Sequence, residues 1–291
     1  MSIFKPEYLC RPQQIPLRIS RQWHKPSSPL QSVELPWKLP LQVNVQETVG
    51  RAIWYLGVYD LVVSECLWRL IERGDIAVDA GANIGYMSSI MAHRCGANGQ
   101  VFSFEPHPVI ARNLAHNVQM WRAKDIAPCV VFEKALSSEQ GRATLSIPDG
   151  FAKNEGVAFL SDGHSDQGKT IMVEKTTLTE VFDGRDIGVM KVDVEGHELA
   201  LFQGAQRHLS EKRIRDIVFE DHSAYPTEPM RYLESFGYTL FRLKRSFSGP
   251  VLSDAKQDHE LPRWEPPNIL ATCAPDRAMK LMKVRGWQVL Q

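Results

Sequence analysis

From Asp60 onward the apolar positions fall into repeating helical and strand patterns. Val63, Cys66, Leu67, Leu70 and Ile71 follow the i, i+3, i+4 spacing of an amphipathic helix, with Gly74 where a C-terminal cap belongs. The short apolar run Ile76-Ala77-Val78 predicts a buried strand that breaks into Asp79-Ala80-Gly81-Ala82-Asn83-Ile84-Gly85. A second helix carries Ile84, Met87, Ile90 and Met91 on one face, and Gly96 and Gly99 bracket the turn into a strand from Val101 to Phe104. Pro108 suits the first position of a third helix through Ile110, Leu114, Val118 and Trp121, and Cys129 to Phe132 reads as the next strand. Further on, a strand at Val189 to Val192, a helix with Leu199, Phe202 and Leu209 on its apolar side, and a strand at Ile217 to Phe219 continue the rhythm. Such alternation predicts an α/β fold with a doubly wound, mostly parallel sheet covered on both faces.

Two stretches depart from it. Arg142 to Pro148 and Thr170 to Leu178 look strand-like around a long loop from Asp149 to Lys169, which makes 142–178 an insertion suited to ligand contact. After Tyr238, Thr239 to Leu243 and Asn268 to Cys273 predict an antiparallel pair at the end of the sheet. Pro6, Pro12, Pro16, Pro26, Pro29, Pro36 and Pro40 crowd the N-terminal segment, so residues 1–50 are expected to form an irregular, proline-rich arm ahead of a domain over 51–291. The arm is suited to wrap the domain, cover a site or pair two subunits, which leaves a homodimer open.

Charge narrows the partners. With 34 Lys+Arg against 34 Asp+Glu the chain offers no positive excess for phosphates, which argues against a nucleic-acid partner. The five cysteines are widely spaced without a Cys-x-x-Cys pair and read as reduced thiols. No apolar run long enough for a membrane span occurs, and Met1 to Leu17 lacks the apolar stretch of a signal peptide, so the expected location is cytoplasmic.

The chemistry concentrates at the predicted strand ends, where open parallel sheets bind ligands. Gly81 and Gly85 open a helix N-terminus, and Glu105, twenty residues after Gly85, ends the second strand, where a carboxylate accepts hydrogen bonds from ribose hydroxyls. Asn83 stands where a dinucleotide fingerprint needs glycine, which disfavours a pyrophosphate and hence a nicotinamide-dependent oxidoreductase. Asp79 would repel phosphate and attract an ammonium or sulfonium. S-adenosylmethionine combines a ribose with both cations and has no phosphate.

Val78-Asp79-Ala80-Gly81-Ala82-Asn83-Ile84-Gly85-Tyr86, Phe104-Glu105-Pro106-His107-Pro108 and Lys191-Val192-Asp193-Val194-Glu195-Gly196-His197-Glu198, in that order, resemble the signatures of FkbM-type S-adenosylmethionine-dependent methyltransferases. The resemblance spans Leu56 to Tyr238. It implies a seven-stranded, Rossmann-like class I methyltransferase sheet of order 3-2-1-4-5-7-6 and O-methylation of a sugar or other hydroxylated natural product. It also implies that Asp79, Gly81, Asn83 and Gly85 surround the methionine part, that Glu105 holds the ribose, that Lys134 and Ala135 border the adenine, and that Asp193 lies beside the methyl group.

The residues add a base. Glu220-Asp221-His222-Ser223 ends the fifth strand, so His222, oriented by Glu220, Asp193 or Glu195, is the candidate general base, with His197 as its rival. The same acids have the oxygen chemistry that binds Mg²⁺, so a divalent metal is an alternative reading. A methyltransferase-like scaffold without turnover is the non-enzymatic alternative. Trp54, Tyr55, Tyr59, Tyr225 and Trp264 are candidate contacts for a small hydroxylated acceptor.

Overall fold

A computed structural model describes residues 6–23, 26, 28–122, 124–147, 159–161, 169–257 and 267–291. The chain opens with α1 (Pro6–Leu9), α2 (Gln14–Trp23), β1 (Leu30–Glu34), β2 (Pro40–Asn44), α3 (Thr48–Leu56) and α4 (Leu61–Leu70). The alternating core begins with β3 (Ile76–Ala80), α5 (Tyr86–Cys95), β4 (Gln100–Phe104), α6 (Pro108–Trp121) and β5 (Cys129–Phe132). Then come β6 (Ala135–Leu136), β7 (Gly141–Ile147), β8 (Phe159–Ser161), β9 (Lys169–Thr176), α7 (Leu178–Phe182), β10 (Ile187–Val192), α8 (Glu198–Gly204) and α9 (Gln206–Ser210). There follow β11 (Ile214–Glu220), α10 (Glu228–Ser235), β12 (Thr239–Ser246), β13 (Gly249–Asp254), β14 (Asn268–Thr272), α11 (Pro275–Met282) and a short 3-10 helix at Gln288–Leu290.

The main sheet has the order β13-β12-β14-β11-β10-β3-β4-β5. Strands β5, β4, β3, β10 and β11 run parallel, β14 is antiparallel to β11 and to β12, and β13 returns antiparallel along β12. Read from β5, the first seven strands reproduce the order 3-2-1-4-5-7-6. The eighth, β13, is an addition that sequence patterning missed, because Gly249-Pro250 opens a strand whose burial alternates only weakly.

Strand alternation sends side chains to two cores. Ala77 packs with Cys66, Leu67, Ile90 and Leu114 beneath α4, α5 and α6. Val78 and Ala80 pack with Phe182, Leu201, Phe202 and Met230 beneath α7 to α10. This parity fixes the site, since it turns Asp79 toward α5 along with Ala77.

Three expectations need correction. The described residues of the segment 1–50 are not irregular: prolines punctuate their elements, with Pro6 opening α1, Pro16 in the first turn of α2 and Pro40 opening β2. Leu35, Trp37, Leu39, Leu41 and Val43 of the β1–β2 hairpin are buried, and Trp121 Nε1 donates to Pro40 O at 2.7 Å. The single helix after β10 is two, α8 and α9, broken at Ala205, and its buried positions are Leu201, Phe202 and Leu209 while Leu199 is only half-buried. Gly74 is not the cap of α4, whose C-cap is Ile71.

In the insertion, β7 and β9 pair antiparallel and extend through β8 and β6 into a four-stranded sheet. Most of the expected loop from Asp149 to Lys169, like Trp264, lies outside the described residues.

Candidate active site

The loop from β3 to α5 is held by its neighbours. Gly81 N and Ala82 N both donate to Phe104 O at 3.0 Å, and Gly81 adopts φ 73° so close to β10 that an added Cβ would lie 1.8 Å from Asp193 O. Asn83 takes φ 48°, its side chain accepts from Ile84 N at 2.7 Å, and its own N–H donates to Glu105 Oε2 at 3.0 Å. Glu105 Oε1 accepts from His107 N at 2.9 Å, so the carboxylate at the end of β4 is locked while each oxygen keeps a second lone pair. Glu105 is 7% exposed, and burial pushes its pKa up to about 7 against the pull of these two bonds. Gly85 is the N-cap of α5 and packs against Leu114 rather than facing ligand space.

Asp79 is fully buried beneath α5, where its Oδ2 accepts from Ser88 Oγ at 2.6 Å. Its strand neighbour Lys191 sends Nζ to Gly81 O at 3.0 Å and Asp193 Oδ2 at 3.1 Å, and lies 3.7 Å from Asp79 Oδ1. Burial opposes the charge on Lys191, but Asp193 and Asp79 outweigh it and raise its pKa. Burial raises the pKa of Asp79, against the pull of Lys191 and Ser88. Asp79 therefore stands behind the loop; it holds Lys191, which in turn fixes the Gly81 loop and Asp193. The sequence reading left Lys191 without a role. The available signal was a lysine inside an otherwise apolar, parallel strand, a position that requires a buried partner.

These elements enclose a cavity of about 280 Å³. Gly81, Asn83, Glu105, Lys134, Ala135, Asp193, Glu195 and Glu220 line it, as do His197 and Lys191. Asp79, Gly85 and His222 do not. Lys134 Nζ pairs with Glu174 Oε2 at 3.0 Å across to β9. His197 Nε2 lies 2.9 Å from Ser137 Oγ. Two further lining residues went unassigned in the sequence, Asp60 and Asn268, which are joined by a 3.1 Å hydrogen bond from Asn268 Nδ2 to Asp60 Oδ2.

Asp193, Glu195 and Glu220 also border a neighbouring groove of about 390 Å³ that runs past Asp221 and His222. His222 Nε2 pairs with Glu220 Oε1 at 2.8 Å, but its side chain is 77% exposed, so it stands at the rim instead of inside the cleft. Glu195 is exposed at φ 50°, yet the atoms crowded around its carboxyl, with Asp193 and Glu220 close by, push its pKa up to about 7. Burial and Asp193 likewise raise the pKa of Glu220.

Of the aromatic candidates, Tyr59 lines the cavity. Trp54 lies under the Arg21 guanidinium, Tyr55 faces Arg18, and Tyr225 donates to Glu234. Among the described residues, no group of three or more His, Cys, Asp or Glu side chains is placed to hold a metal ion. No described helix is long and apolar enough to cross a membrane.

A hexuronic acid methyltransferase, AglP, from Haloferax volcanii is 32% identical over 154 residues, 52% of this chain. The chain spans 58% of that relative's length. Among solved structures, a methyltransferase FkbM from Methylobacillus flagellatus matches at 13% identity and TM-score 0.45, covering 89% of this chain and 59% of that one. An S-adenosylmethionine-dependent O-methyltransferase from Thermotoga maritima matches at 15% identity and TM-score 0.41, covering 74% of this chain and 65% of that one. The methyltransferase FkbM domain matches residues 79–240, which takes in the Gly81 loop, Glu105, Asp193 and Glu220, and the chain belongs to that family.

Proposed function

We propose that this chain transfers a methyl group from S-adenosylmethionine to a hydroxyl oxygen of a sugar. The observation that carries the reading is Glu105, locked at the end of β4 with lone pairs facing a cavity whose other end is walled by Asp193 and Glu220. A carboxylate so held would take the two ribose hydroxyls. The Gly81 loop and Asp193 would border the methionine part, with Lys134 and Ala135 beside the adenine. The acidic wall favours a sulfonium and an ammonium over a pyrophosphate, which separates this site from a nicotinamide site. The sugar class is supported by the hexuronic acid methyltransferase relative.

The cofactor supplies an activated methyl carbon. The chain's own task is alignment: the acceptor oxygen must enter through the groove beside Asp193 and Glu220, in line with that carbon. The test is transfer of label from [methyl-¹⁴C]S-adenosylmethionine to D-glucose, D-glucuronic acid, D-glucosamine and their methyl glycosides. An alkali-stable methyl ether on any of them supports the reading. An alkali-labile ester moves the reaction to a carboxyl group, and no sugar product with retained cofactor binding overturns the sugar assignment.

A further inference from the structure

Asp60 is a carboxylate of the cavity wall with no part in the family signatures. Glu105 follows β4, whereas Asp60 is bonded to Asn268, the first residue of β14, and strands β3, β10 and β11 lie between. Four strand steps make roughly 19 Å. A ligand anchored by its ribose at Glu105, with its methyl group beside Asp193 at the end of β10, therefore leaves Asp60 beyond the methyl, on the side from which an acceptor comes.

Asp60 also caps α4, its Oδ1 accepting from Val63 N at 3.2 Å. Capping alone does not call for an aspartate here. The residue sits at φ 36° and ψ 76°, in the left-handed region that asparagine or glycine occupies at lower cost, and asparagine caps a helix as well. Asn83 and Glu195, two other non-glycine residues at positive φ, also line this cavity, and strained backbone of this kind collects at working sites. Burial, reinforced by Asp193, raises the Asp60 pKa against the bonds from Val63 and Asn268 and the charge of Lys191, which makes it a stronger base than an exposed carboxylate. Tyr59, Tyr86, Cys66, Asp193, Lys191 and Glu220 are titratable groups that interact with it from its own and neighbouring elements.

We propose that Asp60 is the base that accepts the proton of the acceptor hydroxyl, an assignment that rests on the hydroxyl-transfer reading above. The acceptor oxygen forms a bond to the methyl carbon. The bond from that carbon to sulfur breaks with its electron pair staying on sulfur, giving S-adenosylhomocysteine, and the hydroxyl proton passes to an Asp60 oxygen. His222, open to water at the rim, is the rival.

The experiment compares wild type, Asp60→Asn and His222→Ala on the labelled sugar panel with molar ethylene glycol added as a minimal alcohol, and measures S-adenosylhomocysteine binding and melting temperature alongside. Asparagine keeps the shape and, through its amide oxygen, the cap on Val63 N, and it removes the proton acceptor; its amide nitrogen replaces Oδ2, so the bond to Asn268 is kept only with the Asn268 amide turned over. The expected result for Asp60→Asn is a kcat at least about 100-fold lower and loss of the acidic limb of the kcat profile against pH. Binding of S-adenosylhomocysteine stays within about twofold, and the melting temperature within about 2 °C. Turnover by Asp60→Asn within about threefold of wild type overturns the assignment, as does abolition by His222→Ala with Asp60→Asn active. If wild type binds S-adenosylhomocysteine but methylates no hydroxyl, hydroxyl transfer is refuted and the base with it. If wild type does not bind it, the proposed function itself fails.

Discussion

Cofactor binding should weaken as pH falls through neutrality, because the proposed ribose contact, Glu105, is a buried carboxyl. Glu105 titrates near 7, raised first by burial, and only its charged form accepts two hydroxyl hydrogen bonds. At pH 8 about nine-tenths of the free protein carries the charge, and at pH 6 about one-tenth, so the apparent Kd rises about tenfold between them, or about 1.4 kcal/mol. The sign for stability is the reverse. A carboxyl raised from 4.5 to about 7 on folding favours the folded, ligand-free protein below pH 4.5, and that contribution is lost as pH rises through 7. Its size is about 3 kcal/mol. The free protein should therefore melt lower at pH 8 than at pH 6, while the ligand-induced shift grows. Calorimetric titration with S-adenosylhomocysteine at pH 6, 7 and 8 measures the first effect. Glu195 titrates in the same window, so Glu195→Gln is the control and should keep the slope, whereas Glu105→Gln should bind weakly and without a slope. A wild-type Kd constant within twofold from pH 6 to 8 would refute the argument.

Other outcomes follow from the same contacts. Lys191→Met strands Asp79 as an uncompensated buried charge and should cost about 3–5 kcal/mol in denaturant unfolding, with much of the loss recovered in Lys191→Met/Asp79→Asn. Gly81→Ala forces a Cβ into Asp193 O at a positive φ, so it should lower stability by about 2 kcal/mol or more and abolish S-adenosylhomocysteine binding. Arg69 Nη1 donates to Leu281 O, Met282 O and Val284 O and Nη2 to Gly286 O, while its partner Glu65 accepts from Gln288 N and Val289 N. Arg69→Ala should therefore cost about 3–5 kcal/mol and expose the segment after α11 to limited proteolysis; an unchanged cleavage pattern would count against that clamp.

The parts legible in the sequence were those written locally. Glycines at a strand-to-helix turn and an acid at the next strand end are adjacent positions with their own backbone demands, so Gly81 and Glu105 could be placed without knowing the fold. Asp79 could be placed at the strand end, but not the parity that turns it beneath α5 toward Ser88, where it does not line the cavity. Lys191, a lysine inside an apolar strand, showed that it needs a buried partner but not which one, and Asp60 was not legible, because both depend on long-range packing. Lys191 acquires its partners only when β10 is registered against β3, and Asp60 reaches the cavity only when β14 brings Asn268 beside it, 208 residues away. The N-terminal hairpin was hidden by its prolines, which signal breaks whether they end structure or merely separate short elements.

The most direct test of the central claim is thermal unfolding of the purified chain without ligand, with S-adenosylhomocysteine and with NAD, repeated for Glu105→Ala. A ligand at about 100 times its Kd adds about 2.7 kcal/mol, a rise on the order of 5 °C for a chain of this size. The account predicts that rise with S-adenosylhomocysteine alone, and its loss in Glu105→Ala. A rise only with NAD, or none with S-adenosylhomocysteine, would contradict it.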